Sequence, residues 1–201
     1  MIGQQALLFR IELQNILPSI WREVLVPSSY SFWDLHVAIQ DSMGWRDCHL
    51  HAFHVQDLHS AALIEIGIPD AEIVPDTNSV LAGWEVPLRT YLNEVGQAVN
   101  YEYDFGDSWE HRIVLKEITR QEQDARYPIC VGGERACPPE DCGGIWGYQS
   151  LLEAINDPLH EEHETRMNWL GTEFDPEHFD PAKVRFDDPK QRWKQAFEHL
   201  G

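Results

Sequence analysis

No uninterrupted apolar run in the chain approaches the ~18 residues that a membrane-spanning helix needs, so no segment is expected to cross a bilayer. Positive charge is also scarce. Fifteen Lys and Arg residues stand against 34 Asp and Glu, a formal charge of −19 with a pI near 4.7. A field of that sign repels phosphate backbones and anionic lipid surfaces, so the net charge weighs against direct nucleic-acid binding unless metal ions or a local basic strip mediate it. Cysteine is limited to Cys48, Cys130, Cys137 and Cys142, and the opening MIGQQALLF lacks a basic leader followed by an apolar stretch. The expected location is therefore the cytoplasm. Thiols stay reduced there, so these cysteines read as free or metal-bound rather than disulfide-paired. No internal repeat and no long disordered linker interrupts the chain.

What is present suffices for a sizeable core. The 201 residues are 43% hydrophobic and include eight tryptophans, enough for one domain spanning 1–201. Leu7, Phe9, Ile11 and Leu13 alternate along residues 6–13, the period of a half-buried strand, and residues 20–26 supply a partner across a turn containing Asn15 and Pro18. Ser31 followed by Asp34 predicts a capped helix start, Phe32, Leu35, Ile39 and Met43 give it one apolar face, and Gly44 ends it. Residues 49–58 alternate again. Residues 60–86 read as short pieces and loop, and Leu88, Tyr91, Leu92 and Val95 have helical spacing up to Gly96. Strands are predicted at 98–103 and 109–118.

From Tyr127 onward the composition shifts to Cys, Gly and Pro, in YPICVGGERACPPEDCGG. That predicts an ordered loop or a metal knuckle. Helices are expected beyond it. One carries Tyr148, Leu151, Leu152 and Ile155, another starts at Asp157 and Pro158 and runs to about Leu170, and a last one covers about 189–199, where Trp193, Phe197 and Leu200 line up. The whole reads as an α+β chain, with a sheet portion over 1–119 and a loop plus helical portion over 127–201.

The phrases YEYDFGDSWEH and PPEDCGGIWGYQSLLEAINDP, together with PSIWREVLVP, GWRDCHLHAF and FDPEHFD, resemble the plasmid pRiA4b ORF-3-like family over nearly the whole length. The resemblance implies an α+β, roll-like mixed or antiparallel sheet packed by helices, in proteins of bacteria and archaea that sometimes occur in mobile-element contexts. It implies no established activity. A resolvase-like label attached to some members finds no serine-recombinase motif here.

The stretch 101–111 carries the densest chemistry. Asp104 and Asp107 flank Gly106 in a tight turn, and a strand from Trp109 would put His111 on the face of Trp109, Ile113 and Leu115. Two readings stand. In one, Asp104 bonds turn amides, Gly106 supplies a positive φ and His111 is a satisfied core histidine. In the other, Asp104, Asp107 and His111 form a metal site or an acid–base pair, with Zn²⁺, Mn²⁺ or Mg²⁺ as candidate ions. His49 and His51 lie two apart on a predicted strand and could add ligands, so the candidate metal set is His49, His51, Asp107 and His111. Cys130, Cys137 and Cys142 offer a structural-zinc alternative in a C-x6-C-x4-C spacing that lacks a fourth ligand, against a reading as free thiols. Glu140 and Asp141 could close over the hairpin, with Trp109 and Trp146 as apolar contacts.

Two further features have bland readings. His160 to His163 miss the zincin spacing by one residue and read as a solvated acidic helix start. Lys183, Arg185, Lys190, Arg192 and Lys194 form the one basic strip and read as a solvated face. The functional expectation is a polar cleft that binds an unidentified ligand or protein partner. The alternative is a metal-dependent hydrolase, acting on phosphodiesters and linked to mobile elements.

Overall fold

A computed structural model of the chain describes residues 4–57, 62–69, 80–171 and 174–197. Alternating hydrophobicity builds one sheet of eight strands. In chain order these are β1 (Gln5–Leu13), β2 (Trp21–Pro27), β3 (His51–Gln56), β4 (Leu63–Gly67), β5 (Leu81–Ala82), β6 (Ala98–Tyr103), β7 (Trp109–Arg120) and β8 (Ile129–Glu134). Their order across the sheet is β5-β4-β3-β6-β7-β1-β2-β8, with every pair antiparallel except β4 with β5. The fold is therefore α+β with a mixed sheet.

Because successive strand side chains point to opposite faces, one face collects Leu7, Phe9, Ile11 and Leu13 from β1, Val24 and Val26 from β2, Tyr101 and Tyr103 from β6, and Trp109, Ile113 and Leu115 from β7, all buried. The other face carries Arg10, Glu12, Glu102, Glu110 and Arg112. A sheet solvated on one side gives this clean alternation.

Helix α1 (Phe32–Met43) covers the apolar face with Phe32, Leu35, Ile39 and Met43. Its start is a capping box: the Asp34 amide donates to Ser31 Oγ at 3.2 Å and the Ser31 amide to Asp34 Oδ2 at 2.8 Å. Gly44 closes it in the left-handed region at φ 89°. Ser31→Ala is expected to lower stability by about 1 kcal/mol, read from the midpoint of urea unfolding; an unchanged midpoint would contradict this role for the cap.

The C-terminal half comprises α2 (Gly144–Asn156), α3 (His163–Leu170) and α4 (Pro189–Phe197). Helix α2 buries Tyr148, Leu151 and Ala154, and α4 lies against α1. The Trp33 indole N–H donates to the Pro189 carbonyl at 2.9 Å. Arg192 Nη2 bonds Asp41 Oδ1 at 2.6 Å and Asp187 Oδ2 at 2.5 Å, and its Nη1 lies 3.6 Å from Asp47 Oδ2. Arg192, expected on a solvated basic face, is thus an internal pin for α4.

The structure departs from the sequence reading in further places, and β3 begins at His51, so His49 lies before the strand on which it was expected. Residues 86–96 form a single 3-10 turn, Leu88–Thr90, instead of a helix. The Gln97 carboxamide oxygen takes the Asn93 and Glu94 amides, and the Gly96 amide goes to the Leu115 carbonyl, so the chain leaves helical geometry to join the sheet. Residues 129–134, expected as loop, are the edge strand β8, paired with β2. The helix expected from Pro158 begins only at His163, because the Asp157 carboxylate ties the Leu159 amide into a turn. Positive φ in the 104–108 turn belongs to Asp104 (57°) and Ser108 (53°), not to Gly106. Leu200, residues 198–199 and residues 60–61 and 70–79 of the loop expected at 60–86 lie outside the described residues.

Candidate functional site

Three chain segments far apart in sequence meet at one end of the sheet. The first is the turn between β6 and β7. There Asp104 Oδ1 accepts from the Gly106 amide at 2.9 Å and the Asp107 amide at 3.3 Å, and the Ser108 amide donates to the Asp104 carbonyl at 2.6 Å. An aspartate that folds back on its own turn tolerates the left-handed region, which is why this position carries Asp. One carboxylate oxygen is used in this way. The other, Oδ2, lies 3.5 Å from His49 Nε2.

His49 comes from the second segment, which joins α1 to β3. The Asp104 amide donates to the Leu50 carbonyl at 2.9 Å and the Cys48 amide to the Tyr103 hydroxyl at 3.1 Å, so this segment is fastened to the hairpin on both sides of His49.

The third segment is the PPEDCGG loop. Glu140 Oε1 accepts from the Tyr103 hydroxyl and from the Arg46 amide, each at 2.8 Å. Burial and the neighbouring Glu140 carboxylate push the Tyr103 phenol well up, so it stays a donor. Asp141 Oδ1 lies 2.9 Å from His49 Nε2, and the Gly143 amide donates to Asp107 Oδ2 at 3.2 Å. The loop does close over the hairpin.

The result is a trio of His49, Asp104 and Asp141 whose ligand atoms all lie within 4.8 Å of one another. Two donors each about 2.1 Å from one ion stand about 3.0 Å apart at a right angle and about 3.4 Å apart at a tetrahedral angle. The His49–Asp141 contact of 2.9 Å is a hydrogen-bonded ion pair as it stands, and it and the 3.5 Å from His49 to Asp104 are close to those values. The side chains of His49 and Asp141 are 31% and 69% exposed, so the trio opens to solvent. Asp141 also lines a cleft of about 420 Å³, with Trp45, Arg46, Pro138, Glu140 and Trp169 among its walls.

His51 and His111 are not part of this trio. His51 is buried and stacks on His36, ring centroids 3.4 Å apart and 10° from parallel. His36 Nε2 lies 2.8 Å from Asp47 Oδ1 and its Nδ1 lies 2.9 Å from the Tyr101 hydroxyl, which also accepts from Gln40 Nε2 at 2.9 Å. His36, Asp47 and His51 also lie close enough together to suggest a metal group. The stacking argues against it, because an ion in the plane of one ring sits over the face of the other, away from its lone pair. Both nitrogens of His36 are also engaged. The signal for this array was present in the sequence: His36 and Gln40 are polar residues four apart within the buried side of a helix.

His111 is buried, with Nδ1 3.0 Å from the Trp109 carbonyl, and burial pushes its imidazole down to about 4. Trp109 is itself 1% exposed and belongs to the core, whereas Trp146 is 82% exposed on the first turn of α2. Asp107 is held by the loop amide described above. The cysteines are free, and among the described residues Cys130, Cys137 and Cys142 form no metal-binding group. A buried cation stands there instead. Arg22 donates to the carbonyls of Ser42, Trp21 and Glu134, and its positive charge is felt by both Cys130 and Cys137.

A model of the plasmid pRiA4b ORF-3-like proteins matches residues 5–183. The chain belongs to that family. It is 32% identical over 192 residues to an uncharacterised protein, y4hQ, of Sinorhizobium fredii, covering 92% of each chain. It also resembles the crystal structure of a protein of unknown function, MM3350, from Methanosarcina mazei Go1. That comparison gives a TM-score of 0.82 and 38% identity, over 92% of this chain and 99% of the other. The descriptions of both relatives name no activity. Among the described residues, no helix is long and apolar enough to cross a membrane.

Proposed function

We propose that the protein is a divalent-cation-dependent binding module in which His49, Asp104 and Asp141 hold the ion and the adjoining cleft receives the ligand. The observation that carries this reading is the double role of Asp141, which belongs to the trio and also lines the cleft. One imidazole and two carboxylates suit Zn²⁺ or Mn²⁺. Three protein donors on a solvent-facing rim leave coordination positions for water or for an oxygen of the ligand. A bound cation would also offset part of the local negative charge that Glu140 contributes, making an anionic ligand acceptable to a protein of charge −19.

Hydrolysis would need a free base beside the ion. The neighbouring carboxylates are already engaged, Glu140 Oε1 by two hydrogen bonds and Asp107 Oδ2 by the Gly143 amide. That favours binding over the metallohydrolase alternative.

Calorimetric titration of chelator-treated protein with Mn²⁺ and with Zn²⁺ tests the proposal. One ion per chain is expected. His49→Ala and Asp141→Ala should each weaken binding by roughly 100-fold, since loss of even an outer-shell partner costs about 10- to 100-fold. Cys130→Ala should leave it unchanged. Binding that ignores the first two variants but disappears with the cysteine would contradict the proposal in favour of a cysteine site.

A further inference from the structure

A second cavity lies at the N-terminal end of α1, between α4 and the loop that precedes the 3-10 turn. It encloses about 490 Å³, inside the range of about 300–1,000 Å³ usual for small-molecule sites. Three of the eight tryptophans wall it: Trp33, Trp84 and Trp193. Trp84 meets Trp193 edge to face at 5.9 Å and packs on Phe197 at 5.2 Å. Trp33 is held by its bond to the Pro189 carbonyl, and Pro189 lines the cavity as well. The Trp193 indole N–H is buried and has no acceptor among the described residues. A buried donor with no partner is rare in a folded protein, but this one is shielded from solvent, so it is the ring of Trp193 rather than its N–H that the cavity offers to a ligand.

The charges around this cavity are unusual for so acidic a chain. Lys190 and Lys194, four residues apart and so on one side of α4, both line it, and neither makes an ion pair among the described residues. Of the two acids in the wall, Asp34 is engaged in capping α1, accepting the Ser31 amide. Glu85 is left as an acceptor. The lining thus offers aromatic faces and two ammonium groups against two carboxylates, one of which, Asp34, is already committed to the cap of α1.

We propose that this cavity binds a planar aromatic anion of mononucleotide size, its ring against Trp84 and Trp193 and its anionic group on Lys190 and Lys194. The volume suits one such molecule, and aromatic stacking tolerates different rings. Glu85 favours a ring that carries an amino donor. This site shares no residue with the proposed cation site, so each can fail alone.

The probe is adenosine monophosphate, with adenosine and inorganic phosphate as comparators, followed by calorimetry and by tryptophan fluorescence excited where the base does not absorb. Saturable binding of the monophosphate with quenching of emission is expected, with adenosine weaker by about tenfold or more. The double variant Lys190→Ala, Lys194→Ala should bring the monophosphate down to the affinity of adenosine while leaving adenosine unchanged. Trp84→Ala should remove binding of both; if that variant fails to fold by circular dichroism, the lysine variant alone decides. No saturable signal for the monophosphate up to about 5 mM, or binding equally strong in the lysine variant, overturns the proposal.

Discussion

Lowering the pH from 7 to 4 is expected to remove about 3 kcal/mol of stability through His111 alone. Burial brings its imidazole down to about 4 from an ordinary value of 6.5. Above pH 6.5 the ring is neutral in both the folded and the unfolded chain, and the contribution is fully present. As pH falls below 6.5 the unfolded chain takes up the proton first, so stability declines until the folded ring also titrates near 4. The stacked His51 acts in the same direction, since burial and the adjacent His36 hold it well below its ordinary value. Two carboxylates modify the lower end. Asp47, lowered by its bonds to His36 and Arg192 against its own burial, adds to the acid loss, whereas Asp41, raised by burial, opposes it. Urea midpoints at pH 7, 6, 5 and 4 should fall steadily, and His111→Phe should flatten the curve. A midpoint that stays level from pH 7 to 4 would show that the ring is not desolvated in the folded state.

Gly147→Ala should cost about 3 kcal/mol or more. A Cβ at Gly147 would stand 1.9 Å from the Cys142 carbonyl oxygen and 2.8 Å from its carbon, and backbone atoms cannot swing aside as a side chain would. Gly147 closes the first turn of α2, its amide donating to the Gly143 carbonyl at 3.1 Å. The strain would therefore reach the PPEDCGG loop and displace Asp141, so cation affinity should fall together with stability. Gly96→Ala provides the comparison. Its φ is +95° but nothing lies within 4 Å of the added methyl, so only the left-handed penalty of about 1–2 kcal/mol applies. Equal urea midpoints for the two variants would contradict the close approach at Gly147.

The elements legible in the sequence were those whose signal is local. Strands β1, β2, β6 and β7 announced themselves by alternation, and α1 by Ser31, Asp34 and Gly44, each of which makes the predicted bond or turn. The misread elements owe their structure to partners distant in sequence. Leu88, Tyr91 and Leu92 have helical spacing, yet Gln97 and the Leu115 carbonyl take the amides that a helix would have used. Strand β8, with two glycines and little alternation, is a strand because β2 offers it an edge.

The candidate site divided along the same line. That the turn and the PPEDCGG loop would meet was readable, because both were unusual polar stretches, and they meet through Asp107 and Gly143. Which histidine would join them was not. His49 and His51 looked equivalent on an alternating strand, but β3 begins only at His51. His51 therefore follows the pleat into the core while His49, still in the connecting segment, turns toward Asp104 and Asp141. The contact between His49 and Asp141 spans 92 positions and leaves no periodic trace.

Anomalous scattering from crystals grown with Mn²⁺ or Zn²⁺ would show whether His49, Asp104 and Asp141 form a cation site. One strong peak is expected, about 2.0–2.3 Å from His49 Nε2, Asp104 Oδ2 and Asp141 Oδ1. Asp104→Asn, which keeps the oxygen that orders the turn but removes the charge, should weaken that peak without moving the hairpin. A clean map at the trio, or a peak at the cysteines or between His36 and His51, would contradict that assignment.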